Sequence, residues 1–226
     1  LIEARATIVD PHTVDVDGRK ITAKYILVGV GGWPYVPDIP GREHVITSNE
    51  AFYLPELPKR ITVVGGGYIA VEFAGIFNGM GAEVKQLYRG PLFLRGFDAD
   101  VRGALLEEMR KKGVDLKMNA DIAEIIRNDD DYTVVLRDGE TFETDLVMYA
   151  TGRFPNTKNL GLEAAGVELA KNGSIKVDDY FQTSVPSIYA LGDVIDRVPL
   201  TPVAIGEGMV IASNLFRGTK QVMNYD

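Results

Sequence analysis

The sequence predicts an α/β protein with a parallel sheet that is followed by an antiparallel β-meander. Three observations favour this class: a buried strand pattern at residues 60–64 runs into three glycines, apolar residues at helical spacing cover 68–78, and a further buried strand pattern follows at 82–87. This strand-turn-helix-strand order within about 30 residues is typical of a parallel βαβ unit. The predicted architecture is therefore Rossmann-like.

The residues before this unit predict small antiparallel strands and an extended connector. Three short apolar runs separated by turn-forming residues predict the strands: 6–9, 13–16 and 20–22. The near-continuous apolar run 25–30 predicts a buried strand. The proline-rich segment 33–41 cannot be a helix, so we place a domain boundary between it and Pro58.

The residues after the βαβ unit predict another helix and then mainly strands. The helix is expected at 98–112, with Asp98 as its N-cap and Gly113 as its C-cap. The strands are expected at 114–118, 120–126, 132–137, 140–143, 146–150 and 187–191. Asp138-Gly139 is a strong hairpin signal. A final helix is expected at 203–216, and these last elements could return to the domain that residues 1–32 begin.

Composition excludes several classes of function. A net charge of −8 and a pI near 4.9 argue against nucleic-acid binding, which needs a dense basic surface. No run approaches the roughly 18 apolar residues of a membrane span, and the first residues lack a signal-peptide pattern, so we expect a soluble, cytoplasmic protein. Without cysteine the chain has no disulfide or thiolate nucleophile, and His12 and His44 show no metal-ligand spacing. We expect no metal site.

The glycine-rich turn is a candidate phosphate-binding loop. Residues 65–70 fit G-x-G-x-x-G/A, with Tyr68 and Ile69 between the glycines and Ala70. Gly65 would allow a tight turn, Gly67 would let the backbone approach a pyrophosphate, and Ala70 would let helix and strand pack closely. An isolated triplet is compatible with a plain turn, but the strand before it and the helix after it favour dinucleotide binding.

Two arginines indicate which dinucleotide is bound. NAD-binding forms of this unit carry an Asp or Glu at the end of the second strand for the ribose 2′-hydroxyl. Here Arg89 occupies that place and Arg95 lies just beyond it. A planar, permanently charged guanidinium suits a 2′-phosphate. The alternative is a pair of solvated surface arginines, and we prefer NADPH.

Five ordered motifs together resemble those of the flavin- and pyridine-nucleotide-dependent disulfide oxidoreductases, with the glutathione reductase branch the most similar. They occupy residues 65–75, 88–98, 150–157, 188–194 and 200–204. The resemblance implies catalytic roles for Tyr68, which would cover the nicotinamide site on the flavin, and for Glu72, beside the nicotinamide. The lysine with which that acid pairs in the family is not in this chain.

The resemblance also assigns residues near the two cofactors. Gly152 and Arg153 belong to the A-T-G-R-x-P-N signature, where the arginine would lie along bound NADPH or, equally, satisfy loop carbonyls. Gly192 and Asp193 match the segment whose aspartate binds the FAD ribityl chain, although a helix cap is the alternative. Leu200 and Thr201 match the turn that faces the flavin's pyrimidine edge.

The implied organisation is a piece of a larger enzyme. Residues 1–57 would be part of an FAD-binding domain and connector, 58–155 the NADPH-binding domain, and 156–226 an incomplete return to the FAD-binding domain. The family's redox cysteine pair, its N-terminal FAD glycine motif and its interface domain with a His-Glu pair are not in this chain, so we expect the chain alone to be inactive.

The parent would be an NADPH- and FAD-dependent reductase of glutathione disulfide, a homodimer acting on a small-molecule disulfide. A free-standing NADPH-binding module is the alternative. So is a fragment of dihydrolipoamide dehydrogenase, mercuric reductase or trypanothione reductase.

Overall fold

The computed structural model describes residues 1–225 of the 226-residue chain. The strands are β1 (Ala6–Asp10), β2 (Thr13–Val16), β3 (Arg19–Thr22), β4 (Ile26–Val28), β5 (Gly32–Pro34), β6 (Arg60–Val64), β7 (Glu83–Tyr88), β8 (Asp115–Met118), β9 (Ile122–Arg127), β10 (Tyr132–Leu136), β11 (Thr141–Thr144), β12 (Leu146–Tyr149), β13 (Arg153–Pro155) and β14 (Ile188–Ala190). The α-helices are α1 (Ser48–Ala51), α2 (Tyr68–Gly79), α3 (Ala99–Lys111) and α4 (Thr201–Arg217), and short 3-10 helices cover Arg42–His44 and Gly192–Ile195.

The chain forms two compact units. The central unit is Pro34–Gly152, and the terminal unit combines Leu1–Trp33 with the chain from Arg153 onward. The sequence placed the boundaries instead at 57/58 and 155/156. The connector lies in the central unit because Ile46 pairs with β12: its N–H donates to the Val147 carbonyl at 3.0 Å, and its own carbonyl accepts from the Tyr149 N–H at 2.8 Å.

The central unit is built on the predicted parallel sheet, in the order β12-β6-β7-β8. Helices α2 and α3 pack on one face, where Val63 on β6 is buried with Phe73 and Phe77 on α2. On the other face, Leu87 and Val134 are buried in a cluster shared by the sheet and the meander β9–β11. Parallel strands buried on both faces need continuous apolar sequence, which explains why the strands were found from sequence.

The sequence predicted the start of helix α3 and the order of the meander strands. The Asp98 carboxylate accepts from the Asp100 and Val101 N–H groups, which confirms it as the N-cap of α3. The C-cap of this helix is Lys112 rather than the predicted Gly113, which follows it at φ +92°, a conformation that favours glycine. The antiparallel order β11-β10-β9 confirms the predicted meander.

The terminal unit contains the predicted antiparallel sheet β1-β2-β3 and a parallel pair formed by β4 and β14. The apolar run 25–30 forms a strand only at Ile26–Val28. Helix α4 begins at Thr201 rather than at 203, because Pro202 in the first turn gives up an N–H that has no partner inside the helix anyway. None of the helices within residues 1–225 combines the length and apolar character needed to cross a bilayer.

An ion-pair cluster fixes the start of β6. The Asp145 carboxylate accepts from the Arg60 backbone N–H and Nε at 2.9 Å each and from Nη2 at 2.6 Å. Asp131 accepts from the same Nη2 at 2.9 Å. Burial alone would raise the pKa of the Asp145 carboxyl, but the Arg60 hydrogen bonds outweigh burial and lower it. Hydrogen bonds from Asn128 and then Arg60 lower the pKa of Asp131.

We expect Asp145→Ala to lower the free energy of unfolding by about 1–2 kcal/mol at pH 7, as for lost hydrogen bonds to a charged, partly exposed group. Because the folded-state pKa is depressed, this stabilisation is present above the unfolded pKa of about 3.9 and is lost as pH falls through the folded pKa. Urea unfolding between pH 3 and 7 checks both points. Equal loss of stability at pH 3 and pH 7 would contradict the assignment.

Candidate functional site

The glycine loop of the central unit has the geometry that its motif requires. Gly65 lies at φ +146°, and a Cβ there would stand 2.3 Å from the Ala150 carbonyl oxygen. Its N–H donates to the Leu87 carbonyl at 2.9 Å, which ties the loop to β7. A Cβ on Gly66 would stand 2.3 Å from the Tyr88 ring. These two positions therefore exclude side chains for reasons internal to the fold.

Gly67 is different because its surroundings are open. It is the extended N-cap of α2, and a Cβ there would meet nothing within 4 Å. Ala70, in the first turn of α2, is fully buried, and a small residue there lets the helix approach the sheet. The fold thus tolerates a side chain at Gly67, and its glycine suits close approach by a ligand.

The start of α2 is open to an anion. The helix has no side-chain cap and no acidic residue in its first turn, so its N–H groups and the positive end of its dipole stay available. Tyr68 and Glu72 lie one turn apart on this helix and are both exposed, and Ile69 between them is half-buried.

Arg89 directly follows β7, and Arg95 lies in the loop after it; both are exposed. Neither side chain is hydrogen-bonded or ion-paired to another of residues 1–225. The loop itself is well anchored, because Arg102 on α3 donates to the Leu92 and Phe93 carbonyls at 2.6 and 2.7 Å. A firmly held loop thus carries two unneutralised cations.

The terminal unit contains a separate cavity of about 430 Å³. It is lined by Gly29, Val30, Gly31, Gly32, Arg153, Leu191, Gly192, Asp193, Thr201, Ala204 and Ile205. Asp193 lies inside the 3-10 helix Gly192–Ile195 rather than before an α-helix, so the helix-cap alternative is wrong. Leu200 is the N-cap of α4 and has no side-chain cap bond, and Thr201 opens the helix.

Arg153 lines this cavity. Its Nε lies 3.8 Å from the Asp193 Oδ2, and its guanidinium donates to the Gly32 carbonyl. Gly152 lies on the other side of the unit boundary, at φ +134°, with its carbonyl accepting from the Tyr35 N–H at 2.9 Å. The predicted contact of Arg153 with loop carbonyls is thus observed at Gly32.

Sequence reasoning missed Glu207, a buried carboxylate on α4 at 1% exposure. It accepts from the Gly192 N–H and the Tyr225 hydroxyl at 2.7 Å each, so it fixes the turn that carries Asp193. Burial raises the pKa of Tyr225; the Arg197 hydrogen bond lowers it and the Glu207 bond raises it further. The sequence signal that could have identified Glu207 is an acidic residue among the apolar residues of the predicted helix 203–216.

No group of three or more histidine or carboxylate side chains within the described part of the chain is arranged to hold a metal ion. The glycine loop instead offers backbone N–H groups and nearby arginines, and the cavity of the terminal unit offers Asp193 beside Arg153. Such donors suit phosphates and polar organic cofactors.

Comparison with known proteins gives consistent results. The family model described as pyridine nucleotide-disulphide oxidoreductase matches residues 1–208. The chain is 50% identical over 226 residues to the chloroplastic/mitochondrial glutathione reductase of Pisum sativum, covering all of this chain and 41% of that protein. It is 46% identical over 221 residues to the trypanothione reductase of Leishmania donovani, covering 96% of this chain and 44% of that protein.

Among solved structures, the HOCl-induced flavoprotein disulfide reductase RclA from Escherichia coli superposes with a TM-score of 0.92 at 30% identity. That match covers 98% of this chain and 52% of the other chain. The chain spans about half the length of the relatives it matches.

Proposed function

The chain belongs to the pyridine nucleotide-disulphide oxidoreductase family, and we propose that it is the NADPH-binding portion of an FAD-dependent disulfide reductase. The observation that carries the NADPH assignment is the unpaired Arg89 and Arg95 on an anchored loop after β7. Arg89 stands where an NAD-binding unit would place an acid, and Arg95 adds a second exposed cation on the loop beyond it.

Two groups of hydrogen-bond donors in the central unit would bind different parts of the dinucleotide. The backbone N–H groups of the glycine loop and of the start of α2 would hold the pyrophosphate, helped by the helix dipole. Arg89 and Arg95 would hold the 2′-phosphate, because guanidinium donates paired hydrogen bonds and keeps its charge. Tyr68 and Glu72 would face the nicotinamide, as the family resemblance implies.

The cavity of the terminal unit is the proposed site for part of FAD. Gly29, Gly31 and Gly32 line it without side chains, which leaves room for a cofactor, and Asp193 offers a carboxylate to the hydroxyl groups of a ribityl chain. Thr201, the first residue of α4 after the uncapped Leu200, would supply an N–H donor to the flavin edge, whereas the Leu200 N–H already donates to the Val198 carbonyl. When bound, FAD would supply a two-electron acceptor between NADPH and a disulfide.

Within this site the protein's own residues would orient the cofactor. Glu207 holds the Gly192 N–H and so positions Asp193, while Arg153 lies beside Asp193 and fixes the Gly32 carbonyl. We therefore assign Arg153 to the flavin side of the proposal. The cysteine pair that would exchange electrons with the substrate is absent from these 226 residues and would be supplied by the parent protein.

For the parent we propose glutathione disulfide as the substrate and a homodimer as the assembly. Support comes from the whole-chain similarity to the Pisum sativum glutathione reductase and from the connector and arginine pair, which resemble the same branch. The reading frame upstream of Leu1 tests the parent, because a Cys-x4-Cys pair there supports the reductase. A start codon directly before Leu1 would instead support a free-standing NADPH-binding module.

Calorimetric titration of the purified chain with NADPH and with NADH tests the central proposal. We expect NADPH to bind at least tenfold more tightly at low salt, and the difference to shrink as salt screens the exposed arginines. Adenosine 2′-phosphate, which lacks the pyrophosphate and the nicotinamide, should bind weakly but measurably. Equal affinity for NADPH and NADH, or no binding of either, would contradict the proposal.

A further inference from the structure

Gln86 is a fully buried polar side chain in an apolar layer. It lies on β7 at 0% exposure, in register with Val63 on β6 and Leu116 on β8, and these neighbours belong to the apolar cluster that packs against α2 and α3. Burying an amide in such a place costs free energy unless its polar atoms are paired. An apolar residue of the same size would meet no such cost, so the amide needs an explanation.

Only half of the amide is used within the described chain. Its Nε2 donates to the Gly65 carbonyl at 3.0 Å. Its Oε1 is buried and has no hydrogen-bond partner among residues 1–225. The one bond that Gln86 makes is therefore to the first residue of the glycine loop.

That bond fixes the direction of a peptide group. The described chain has no cis peptide bond, and in a planar trans peptide the C=O and the following N–H point in opposite directions. Holding the Gly65 carbonyl against the core therefore turns the Gly66 N–H away from the core. The next peptide is held in the same way, because the Gly66 carbonyl accepts from the Leu94 N–H at 2.6 Å.

Two consecutive N–H groups of the loop, those of Gly66 and Gly67, lie opposite these held carbonyls. Neither the Gly66 N–H nor the Gly67 N–H donates to an acceptor in residues 1–225. Consecutive N–H groups of this kind form an anion-binding concavity together with a helix start. The loop is thus clamped by its carbonyls and presents its N–H groups.

We propose that Gln86 is a positioning residue for the pyrophosphate of NADPH, acting from inside the core through the Gly65 carbonyl. This inference rests on the proposed function, since it assumes that the loop binds a dinucleotide. Gln86 does not touch the ligand. Its amide selects the peptide orientation in which the Gly66 N–H faces the phosphate oxygens, so the loop does not have to reorganise when NADPH binds.

The test compares two ligands on the whole 226-residue chain carrying Gln86→Leu. Leucine suits the apolar layer but cannot donate to the Gly65 carbonyl. We expect the Kd for NADPH to rise about fivefold, the effect of one typical hydrogen bond. The Kd for adenosine 2′-phosphate should stay within about twofold, because that ligand has no pyrophosphate. Gln86→Met is a second variant of matching length that should behave alike.

Gln182→Leu is the matched control. Gln182 lies in the terminal unit and donates to the Pro186 carbonyl and the Tyr189 hydroxyl, so its replacement should change neither ligand's affinity.

Two results would overturn the inference while leaving the proposed function in place. One is NADPH binding to both Gln86 variants within twofold of the unmodified chain. The other is an equal weakening or loss of both ligands in both variants, which would make Gln86 a structural core residue. Failure of the unmodified chain to bind NADPH would instead overturn the proposed function, and this inference with it.

Discussion

Arg89→Leu is expected to weaken NADPH binding by about 10- to 100-fold and to leave NADH binding within about twofold. The range corresponds to losing one or two charge-assisted hydrogen bonds. Because the Arg89 side chain has no hydrogen-bond or ion-pair partner within residues 1–225, its removal breaks no internal polar interaction. Stability should therefore not change, and the effect should report the ligand alone.

Salt dependence provides a second measure of the same interaction. Arg89 is exposed, so the interaction with a 2′-phosphate is screened as ionic strength rises. The gap between the unmodified chain and Arg89→Leu should narrow between about 0.02 and 0.3 M salt. The same variant should also lose adenosine 2′-phosphate binding, whereas Gln86→Leu should not.

Arg127→Leu is a suitable control for net charge. Arg127 is an exposed arginine at the end of β9 in the same central unit, so the substitution removes one positive charge from the same body of the protein. We expect NADPH affinity to change by less than twofold. A similar weakening in both variants would show that general electrostatics, rather than recognition by Arg89, accounts for the preference for NADPH.

The sequence predicted those parts of the fold that depend on local pattern. The parallel strands were found because both their faces are buried, and the N-cap of α3 because Asp98 binds the N–H groups of residues next to it. Helix α1 was missed although Thr47 and Glu50 form a capping box, a signal readable at that spacing.

The remaining parts depend on contacts between distant segments. The assignment of the connector to the central unit depends on Ile46 pairing beside β12, which no local pattern indicates. The same holds for the candidate sites. The motif identified Gly65 and Gly192-Asp193, but Gln86 and Glu207, which bind the Gly65 carbonyl and the Gly192 N–H, act through tertiary hydrogen bonds.

Gly67→Ala is expected to lower the affinity for the dinucleotide strongly while the chain still folds. A Cβ at Gly67 would meet nothing within 4 Å and the residue has extended φ −86°, so the variant should fold and lose no more than about 1 kcal/mol, because alanine is a poorer N-cap than glycine. If the pyrophosphate approaches the backbone here, the methyl group would occupy its place. We expect NADPH and NADH affinity each to fall by 100-fold or more, measured by calorimetry alongside thermal unfolding.

Two further glycine variants serve as controls, one expected to bind normally and one expected to lose both binding and stability. Gly75→Ala lies in the interior of α2, also with open surroundings, and should bind normally and be about 0.5–1 kcal/mol more stable, because alanine favours helix. Gly65→Ala should lose both binding and stability, since its Cβ would stand 2.3 Å from the Ala150 carbonyl oxygen at φ +146°. If Gly67→Ala bound NADPH as well as Gly75→Ala does, close approach at Gly67 would be wrong. The pyrophosphate would then have to contact the loop through the Gly66 N–H and the start of α2 alone.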